Sequence, residues 1–213
     1  MGVGAYEVVA GFERDLCAYT GAPYAVALNS GTAALMLSVQ WHLGLYDPRW
    51  PTEDPWWDRA SVHIPKRTYV SVPCAIIHGG GRPVFKDEEW RGAYQLEPLP
   101  VWDCARRFTS GMYVAGQFQC VSFAAAKILG AEQGGAILHD NKLADAWFRR
   151  MRFDGRTEGV DPLEDTFDLV GHHCMMIPSV AATLRVRLHH LPKHNEDQGY
   201  YEYPDLSKHP AFK

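Results

Sequence analysis

Residues 24–43 read YAVALNSGTAALMLSVQWHL and contain the pattern that decides the fold. The short apolar run at residues 24–28 predicts a buried strand. The polar triplet Ser30-Gly31-Thr32 predicts a tight turn. The alanine- and leucine-rich stretch from Ala33 to Leu43 then predicts a helix. A strand, a tight turn and a helix in this order are typical of layered α/β domains.

The alternation of short strands and helices continues on both sides of this unit. Apolar residues at helical spacing predict further helices over residues 5–19, 68–78 and 143–153. Short apolar runs predict strands over residues 61–64, 83–85, 98–103, 119–123 and 135–138. Residues 47–58 are rich in Pro and Trp and are predicted to form an irregular loop. This order predicts an α/β domain with a mostly parallel sheet.

The sequence changes character at Gly171. Apolar residues between Met175 and Leu191 form a helical stripe, and the residues from Tyr200 onward are polar, aromatic and interrupted by proline. We therefore predict a main α/β domain over residues 1–170 and a reduced carboxy-terminal helical subdomain or arm over residues 171–213.

A metal site is one interpretation of the carboxy-terminal histidines and cysteine. The residues are His172, His173, Cys174, His189, His190 and His194. Their types suit a transition metal. Adjacent helical positions point in different directions, however, and the spacing matches no recognised ligand pattern. We therefore expect no metal site.

The charge of the chain does not favour nucleic acid as a partner. The formal net charge is −4 over 213 residues, which argues against a generally basic surface. A local patch is possible at Arg149, Arg150, Arg152 and Arg156. Charge runs of this kind are more often a solvated helix end.

Cysteine usage and hydropathy indicate a cytoplasmic protein. The five cysteines are odd in number and scattered, which is not a disulfide framework and fits a reducing compartment. No stretch approaches the ~18 apolar residues of a membrane helix. We expect no membrane contact.

Three separated features suit one kind of cofactor site. The Ser30-Gly31-Thr32 turn precedes a helix, whose free N–H groups favour a phosphate. Asp103 ends a predicted strand, where a buried carboxylate can pair with a pyridine nitrogen. Lys127 follows a strand that contains Ser122, and a lysine can form an imine with a carbonyl cofactor. Because strand ends of a parallel sheet meet at one crevice, these features are expected to converge.

Several stretches match one family in chain order. They are FERDLCAYTG (12–21), AVALNSGTAAL (25–35), IPKRTY (64–69), GRPVFKD (81–87), VWDCA (101–105), SFAAAK (122–127) and GHHCMMIPSVAATLRVRLHHL (171–191). Together they resemble the DegT/DnrJ/StrS family of pyridoxal 5′-phosphate (PLP)-dependent sugar aminotransferases, which has the aspartate-aminotransferase-like fold. The resemblance implies a three-layer α/β/α large domain and PLP held as a Schiff base on Lys127.

The resemblance also implies a role for each matching site residue. Gly31, Thr32 and Ser122 would hold the phosphate, and Tyr69 would stack on the pyridine ring. Asp103 would pair with the ring nitrogen, and Lys127 would form the Schiff base and move protons during catalysis. A homodimer with shared active sites is the assembly that the family implies.

The sequence departs from the family pattern in the cofactor shell and in length. Arg106 stands where the family has Gln, and His173 stands where it has an Asn that reaches the phosphate of the neighbouring subunit. Both side chains could still contact PLP. Asp103 follows Asp87 after only 16 positions, an interval that in the family holds a further strand and crossover helix. The substrate pocket is therefore expected to be open or completed by a partner.

Three functions follow as hypotheses. The first is an aminotransferase that moves an amino group from a glutamate-like donor to a keto-sugar nucleotide or a similar carbonyl compound. The second is a PLP-dependent decarboxylase or lyase that acts on an amino-acid-bearing molecule such as a modified nucleotide or nucleic acid. The third is a non-catalytic remnant that acts as a binding protein.

Overall fold

The computed structural model describes residues 4–44, 59–199 and 203–212, and the predicted loop over residues 47–58 lies outside these ranges. The helices are α1 (Gly4–Thr20), α2 (Gly31–His42), α3 (Ser71–His78), α4 (Lys142–Met151) and α5 (Pro178–His190). The strands are β1 (Tyr24–Leu28), β2 (Ser61–Pro65), β3 (Arg82–Lys86), β4 (Tyr94–Gln95), β5 (Val101–Asp103), β6 (Phe118–Ser122) and β7 (Gly135–His139). Two single 3₁₀ turns follow, Leu206–Lys208 and Pro210–Phe212. Within the described ranges, every helix is too short or too polar to cross a bilayer.

The central sheet is covered by helices on both faces, which confirms the three-layer prediction. Side chains of β1 alternate between the two sides because successive residues of a strand point to opposite faces. Val26 and Leu28 pack with α2, α3 and α4, whereas Ala25 and Ala27 pack with α1 and α5. The prediction of an α/β fold is therefore confirmed.

The strands form a mixed arrangement, which corrects the expectation of a mostly parallel sheet. The larger sheet has the order β1-β7-β6-β5-β4, and β2 pairs with β3 in a second sheet. Only β5 with β6 and β2 with β3 are parallel among these pairs. The other three pairs are antiparallel. Residues 123–134 form turns and bends rather than a crossover helix, so β7 returns antiparallel to β6.

A short segment that the sequence did not predict as a strand links the two sheets. Strand β4 pairs antiparallel with β5, with Tyr94 opposite Asp103 and Gln95 opposite Trp102. Two residues further on, the Glu97 N–H donates to the His63 carbonyl at 3.1 Å, and the His63 N–H donates to the Glu97 carbonyl at 2.7 Å. The residues from 94 to 97 thus occupy the gap between β5 and β2, where the family pattern requires a longer element.

The carboxy-terminal region packs on the α/β layers. Helix α5 begins with Pro178, whose fixed φ angle suits a first helical position, and it packs against α1. Beyond α5, the Gln198 N–H donates to the Arg106 carbonyl at 2.9 Å, and the Leu206 N–H donates to the Lys66 carbonyl at 2.9 Å. The division of the chain at residue 171 stays a prediction.

The arginine-rich segment around α4 pairs with carboxylates. Arg149 and Arg152 both donate to Glu13, and Arg150 donates to Asp168. The Arg156 Nε lies 3.9 Å from an Asp165 oxygen. These pairs use the positive charges within the protein. Arg152 is buried, which corrects the expectation of a solvated helix end.

Candidate active site

The predicted phosphate turn lies against the ends of β6 and β7. Ser30 caps α2, since its side-chain oxygen accepts from the Ala33 N–H at 3.1 Å. A Cβ atom added to Gly31 would lie 2.9 Å from the Ser122 Cβ, and one added to Gly135 would lie 2.4 Å from the Gly31 nitrogen. Glycine is therefore required at both positions for the close approach. The structure thus places Gly31 against Ser122, and Thr32 follows Gly31 in the first turn of α2. The role of these three residues in phosphate binding stays a prediction.

Asp103 is buried at the end of β5. Its Oδ1 accepts from the Ala105 N–H at 2.9 Å, and its Oδ2 accepts from the Tyr94 hydroxyl at 2.9 Å. Burial raises the pKa of the Asp103 carboxyl, while these two hydrogen bonds and the charges of Lys127 and Arg106 act in the opposite direction. Asp103 is thus a buried carboxyl group that accepts hydrogen bonds from Tyr94 and Ala105.

Lys127 is half-buried in the turn after β6. Its backbone N–H donates to the Ala124 carbonyl at 2.9 Å. Burial lowers the pKa of the Lys127 ammonium, and the positive charge of Arg106 lowers it further, whereas Asp103 raises it. Lys127, Asp103 and Arg106 therefore lie close enough to act on one another electrostatically. A lysine with a depressed pKa is a larger fraction neutral amine and a better nucleophile.

Arg106 is buried and held by the carboxy-terminal region. Its Nη1 donates to the Gln198 side-chain oxygen at 3.1 Å, and its Nη2 donates to the Tyr203 hydroxyl at 2.9 Å. Sequence reasoning did not select Gln198 or Tyr203, and it did not select Tyr94. Sequence distance hides the Arg106 contacts, because Tyr203 lies 97 positions from Arg106. Tyr94 lies on a strand of two residues, which gives no periodic signal.

Tyr69 and His173 are exposed, whereas Asp103 and Arg106 are buried. The Tyr69 side chain lies just before α3 and is 57% exposed, with its ring centroid 6.2 Å from that of Tyr203. An exposed face of this kind leaves the ring able to stack on a ligand. His173 lies at the surface, where its Nδ1 is 2.9 Å from an Asp154 oxygen. The roles of both residues stay predictions.

Metal ligation has no support in the described residues. Within the parts of the chain that the structure describes, no group of three or more His, Cys, Asp or Glu side chains is arranged to hold a metal ion.

This arrangement agrees with a comparison to protein-family models. The model of the DegT/DnrJ/EryC1/StrS aminotransferase family matches residues 3–102 and 105–200. The chain belongs to this family. The family resemblance deduced from the sequence motifs is confirmed. A search of curated proteins finds no match.

Several solved structures have a fold similar to that of this chain. AtS13 from Actinomadura melliaura has a TM-score of 0.71 at 20% identity, over 86% of this chain and 60% of its own. PseC from Helicobacter pylori, an aminotransferase involved in the biosynthesis of pseudoaminic acid, has a TM-score of 0.68 at 16% identity, over 87% and 58%. The sugar aminotransferase CalS13 from Micromonospora echinospora has a TM-score of 0.67 at 16% identity, over 86% and 61%.

These similarities establish the fold alone, because the sequence identities are low. The chain also spans only 57–60% of the length of the first structures that it matches. The activity, substrates and partners of this chain therefore require an argument from its own residues.

Proposed function

We propose that this chain binds PLP covalently through Lys127 and transfers an amino group from an amino-acid donor to a carbonyl acceptor, a keto-sugar nucleotide or a similar compound. The observation that carries the proposal is the geometry of neighbouring strand ends: the buried Asp103 ends β5, and the adjacent parallel strand β6 ends at Ser122, which lies against Gly31, and leads to Lys127. Family membership supports the reaction class. The sugar acceptor is supported by the description of CalS13 as a sugar aminotransferase.

The residues present fit PLP. Gly31, at the start of α2, lies directly against Ser122, since a Cβ atom added to Gly31 would be 2.9 Å from the Ser122 Cβ. Free N–H groups at the start of a helix, beside a serine hydroxyl, suit a phosphate. Each oxygen of Asp103 accepts one hydrogen bond, and a carboxylate has about four acceptor sites in all. Asp103 therefore retains capacity for the protonated nitrogen of a pyridine ring. Lys127 supplies the amine.

Each group would perform a separate part of the reaction. Bound PLP supplies a conjugated electron sink for the substrate carbon that bears the amino group. The N–H groups at the start of α2, together with Thr32 and Ser122, would bind the phosphate and fix the position of the ring. Asp103 would keep the ring nitrogen protonated. The Lys127 Nζ would take the proton from the substrate carbon that bears the amino group and deliver it to the carbon on the other side of that nitrogen, a 1,3-shift.

The first experiment tests covalent attachment. Protein incubated with PLP is reduced with borohydride, digested and analysed by peptide mass spectrometry. We expect a phosphopyridoxyl group on Lys127 and none in the Lys127→Ala variant. Other lysines in the same digest serve as internal controls for random modification. Absence of the group from Lys127 would overturn the proposal and favour the non-catalytic alternative.

The second experiment tests the reaction. The loaded protein is incubated with glutamate, and the cofactor is released with acid and separated by chromatography. Transamination requires conversion of PLP to pyridoxamine 5′-phosphate. Release of carbon dioxide without that conversion would replace transamination by the decarboxylase alternative. A panel of other amino acids identifies the donor.

We further propose that the protein acts as a homodimer. Residues 159–171 carry exposed apolar side chains, with Leu163 95%, Phe167 58% and Val170 69% exposed. Apolar surface of this kind favours a protein interface. His173 follows this segment and would reach the partner's cofactor. Sedimentation equilibrium measures the mass directly, and a monomer at micromolar concentration would contradict the proposal.

We also propose the cytoplasm as the compartment. All five cysteines are free, and Cys104, Cys120 and Cys174 are buried. Free thiols of this kind persist in a reducing environment. Fractionation of cells that produce the protein would test the assignment.

A further inference from the structure

A tyrosine in the short segment between the two sheets contacts the proposed ring partner. Tyr94 lies on β4 directly opposite Asp103 on β5. Its hydroxyl donates to the Asp103 Oδ2 at 2.9 Å and lies 2.5 Å from the Thr68 Oγ1. Both residues are buried, with Tyr94 5% and Thr68 1% exposed. The three side chains form a hydrogen-bonded chain inside the protein.

The number of available protons fixes the donor and the acceptor of each hydrogen bond among Thr68, Tyr94 and Asp103. The ionised Asp103 can only accept, and a tyrosine hydroxyl has a single proton to donate. Tyr94 therefore donates to Asp103, and Thr68 must donate to the Tyr94 oxygen. Burial and the neighbouring Asp103 charge raise the pKa of the Tyr94 hydroxyl well above its usual value, so the hydroxyl keeps its proton. The Tyr94 hydroxyl therefore remains a hydrogen-bond donor at neutral pH.

The tyrosine ring is itself fixed. Trp90 packs edge-on against Tyr94 with ring centroids 4.7 Å apart. The Trp90 Nε1 donates to the Arg67 carbonyl at 2.9 Å. These contacts restrain the Tyr94 ring, which keeps its hydroxyl at Asp103 and Thr68. A hydroxyl fixed in this way can orient the group that it contacts.

We propose that Tyr94 is a positioning residue that, together with Thr68, holds Asp103 ionised and aligned for the ring nitrogen of the cofactor. This inference rests on the proposed function. Tyr94 belongs to the interval between Asp87 and Asp103 where the sequence is too short for the strand and helix of the family pattern. The shortened segment therefore supplies a contact to the site as well as closing a gap in the sheet.

The physical basis is the balance of effects on a buried carboxyl. Desolvation opposes the ionised form of Asp103, and a donated hydrogen bond favours it. The Tyr94 hydroxyl and the Ala105 N–H are the direct donors among the described residues. Loss of the Tyr94 donor would leave one direct donor, and both the charge and the orientation of Asp103 would be weakened.

The test is a double-mutant cycle with Tyr94→Phe and Asp103→Asn. We expect Tyr94→Phe to weaken PLP binding by about ten- to hundredfold, the loss of a hydrogen bond to a charged group. In the Asp103→Asn background, the same substitution should change affinity less than about twofold, because Tyr94 acts through Asp103. An undiminished effect of Tyr94→Phe in that background would overturn the proposal.

Two readouts separate positioning from a merely structural role. With PLP labelled with ¹⁵N in the ring, the signal of a protonated nitrogen should weaken in Tyr94→Phe; an unchanged signal contradicts the inference. Tyr113→Phe is the matched control, because Tyr113 donates to the Gln117 carbonyl at 3.2 Å in a local turn. We expect this control to bind PLP as the unsubstituted chain does.

A measurement without cofactor keeps the inference distinct from the proposed function. In the cofactor-free protein, ¹³C NMR of the Asp103 carboxyl should show a higher pKa in Tyr94→Phe, since a donor to the charged form is lost. An unchanged pKa would overturn the Tyr94 role even if Lys127 carries PLP. If Tyr94→Phe raises the Asp103 pKa but PLP does not attach to Lys127, the proposed function is overturned, whereas the effect of Tyr94 on Asp103 is confirmed.

Discussion

Replacement of Glu13 by Gln tests how the strand that leads to the phosphate turn is anchored. Glu13 is a buried residue of α1, and its Oε1 accepts from the Ala27 N–H of β1 at 2.9 Å. The same oxygen accepts from the Arg152 Nη1 at 2.5 Å, and the Oε2 accepts from the Arg149 Nη1 at 2.8 Å. One carboxylate thus ties α1 to β1 and to the end of α4.

The size of the effect follows from the burial of Arg152. Glu13→Gln keeps an oxygen for the Ala27 N–H but removes the charge that compensates two guanidinium groups. Breaking a buried ion pair costs about 3–5 kcal/mol. Arg152 retains Glu158, whose oxygen lies 2.7 Å from its Nη2. We therefore expect the lower end, about 3 kcal/mol of unfolding free energy.

Urea unfolding followed by tryptophan fluorescence measures this loss. With a slope of about 3 kcal/mol per molar urea, the midpoint should fall by about 1 M. Asp15→Asn on the same helix is the matched control. Asp15 pairs with Arg185 at 2.7 Å, but the two side chains are 39% and 41% exposed. An ion pair this exposed is worth about 0–1 kcal/mol.

Two results would refute the reasoning. One is a Glu13→Gln variant within about 1 kcal/mol of the unsubstituted chain, which is the range of an exposed pair. The other is an equal loss in Asp15→Asn. Because β1 ends at the Ser30-Gly31-Thr32 turn, the destabilised variant should also bind PLP more weakly at temperatures where it remains folded.

Three further changes probe the site. Gly31→Ala places a Cβ 2.9 Å from the Ser122 Cβ, so the turn must shift. PLP titration should show about tenfold weaker binding, and an unchanged affinity would contradict a role of this turn in phosphate binding. Arg106→Gln removes a positive charge that lowers the Lys127 pKa. The pH midpoint for acetylation of Lys127 in cofactor-free protein should therefore move upward, and an unchanged or lower midpoint would contradict this effect. Tyr203→Phe removes the hydroxyl that accepts a hydrogen bond from Arg106. Amide hydrogen exchange over residues 203–212 should then become about tenfold faster. An equal exchange rate would show that this hydrogen bond does not stabilise residues 203–212.

The sequence predicted the groups that lie at the ends of local elements. The Ser30-Gly31-Thr32 turn follows β1, and Asp103 ends β5. Lys127 follows β6, the parallel neighbour of β5. These positions could be predicted because each depends on a short stretch of chain. The roles of the residues in a common site stay predictions, based on the rule that strand ends share a crevice.

The direction of the strands could not be read from the same pattern. An apolar run of five residues indicates a strand but does not say which neighbour it pairs with. The helix predicted over residues 68–78 begins only at Ser71, which leaves Thr68 outside it and in contact with Tyr94. Strand β4 has two residues and gives no periodic signal.

The motifs in the sequence predicted the family and the order of the main elements, and both are confirmed. They also selected Lys127, Asp103 and Gly31 as candidate site residues, because these motifs are local. Only the tertiary structure decided which groups surround them. Tyr94 reaches Thr68 across 26 positions, and Tyr203 reaches Arg106 across 97. Such contacts depend on how the sheets and the carboxy-terminal region pack together. That packing leaves no periodic signal in the sequence.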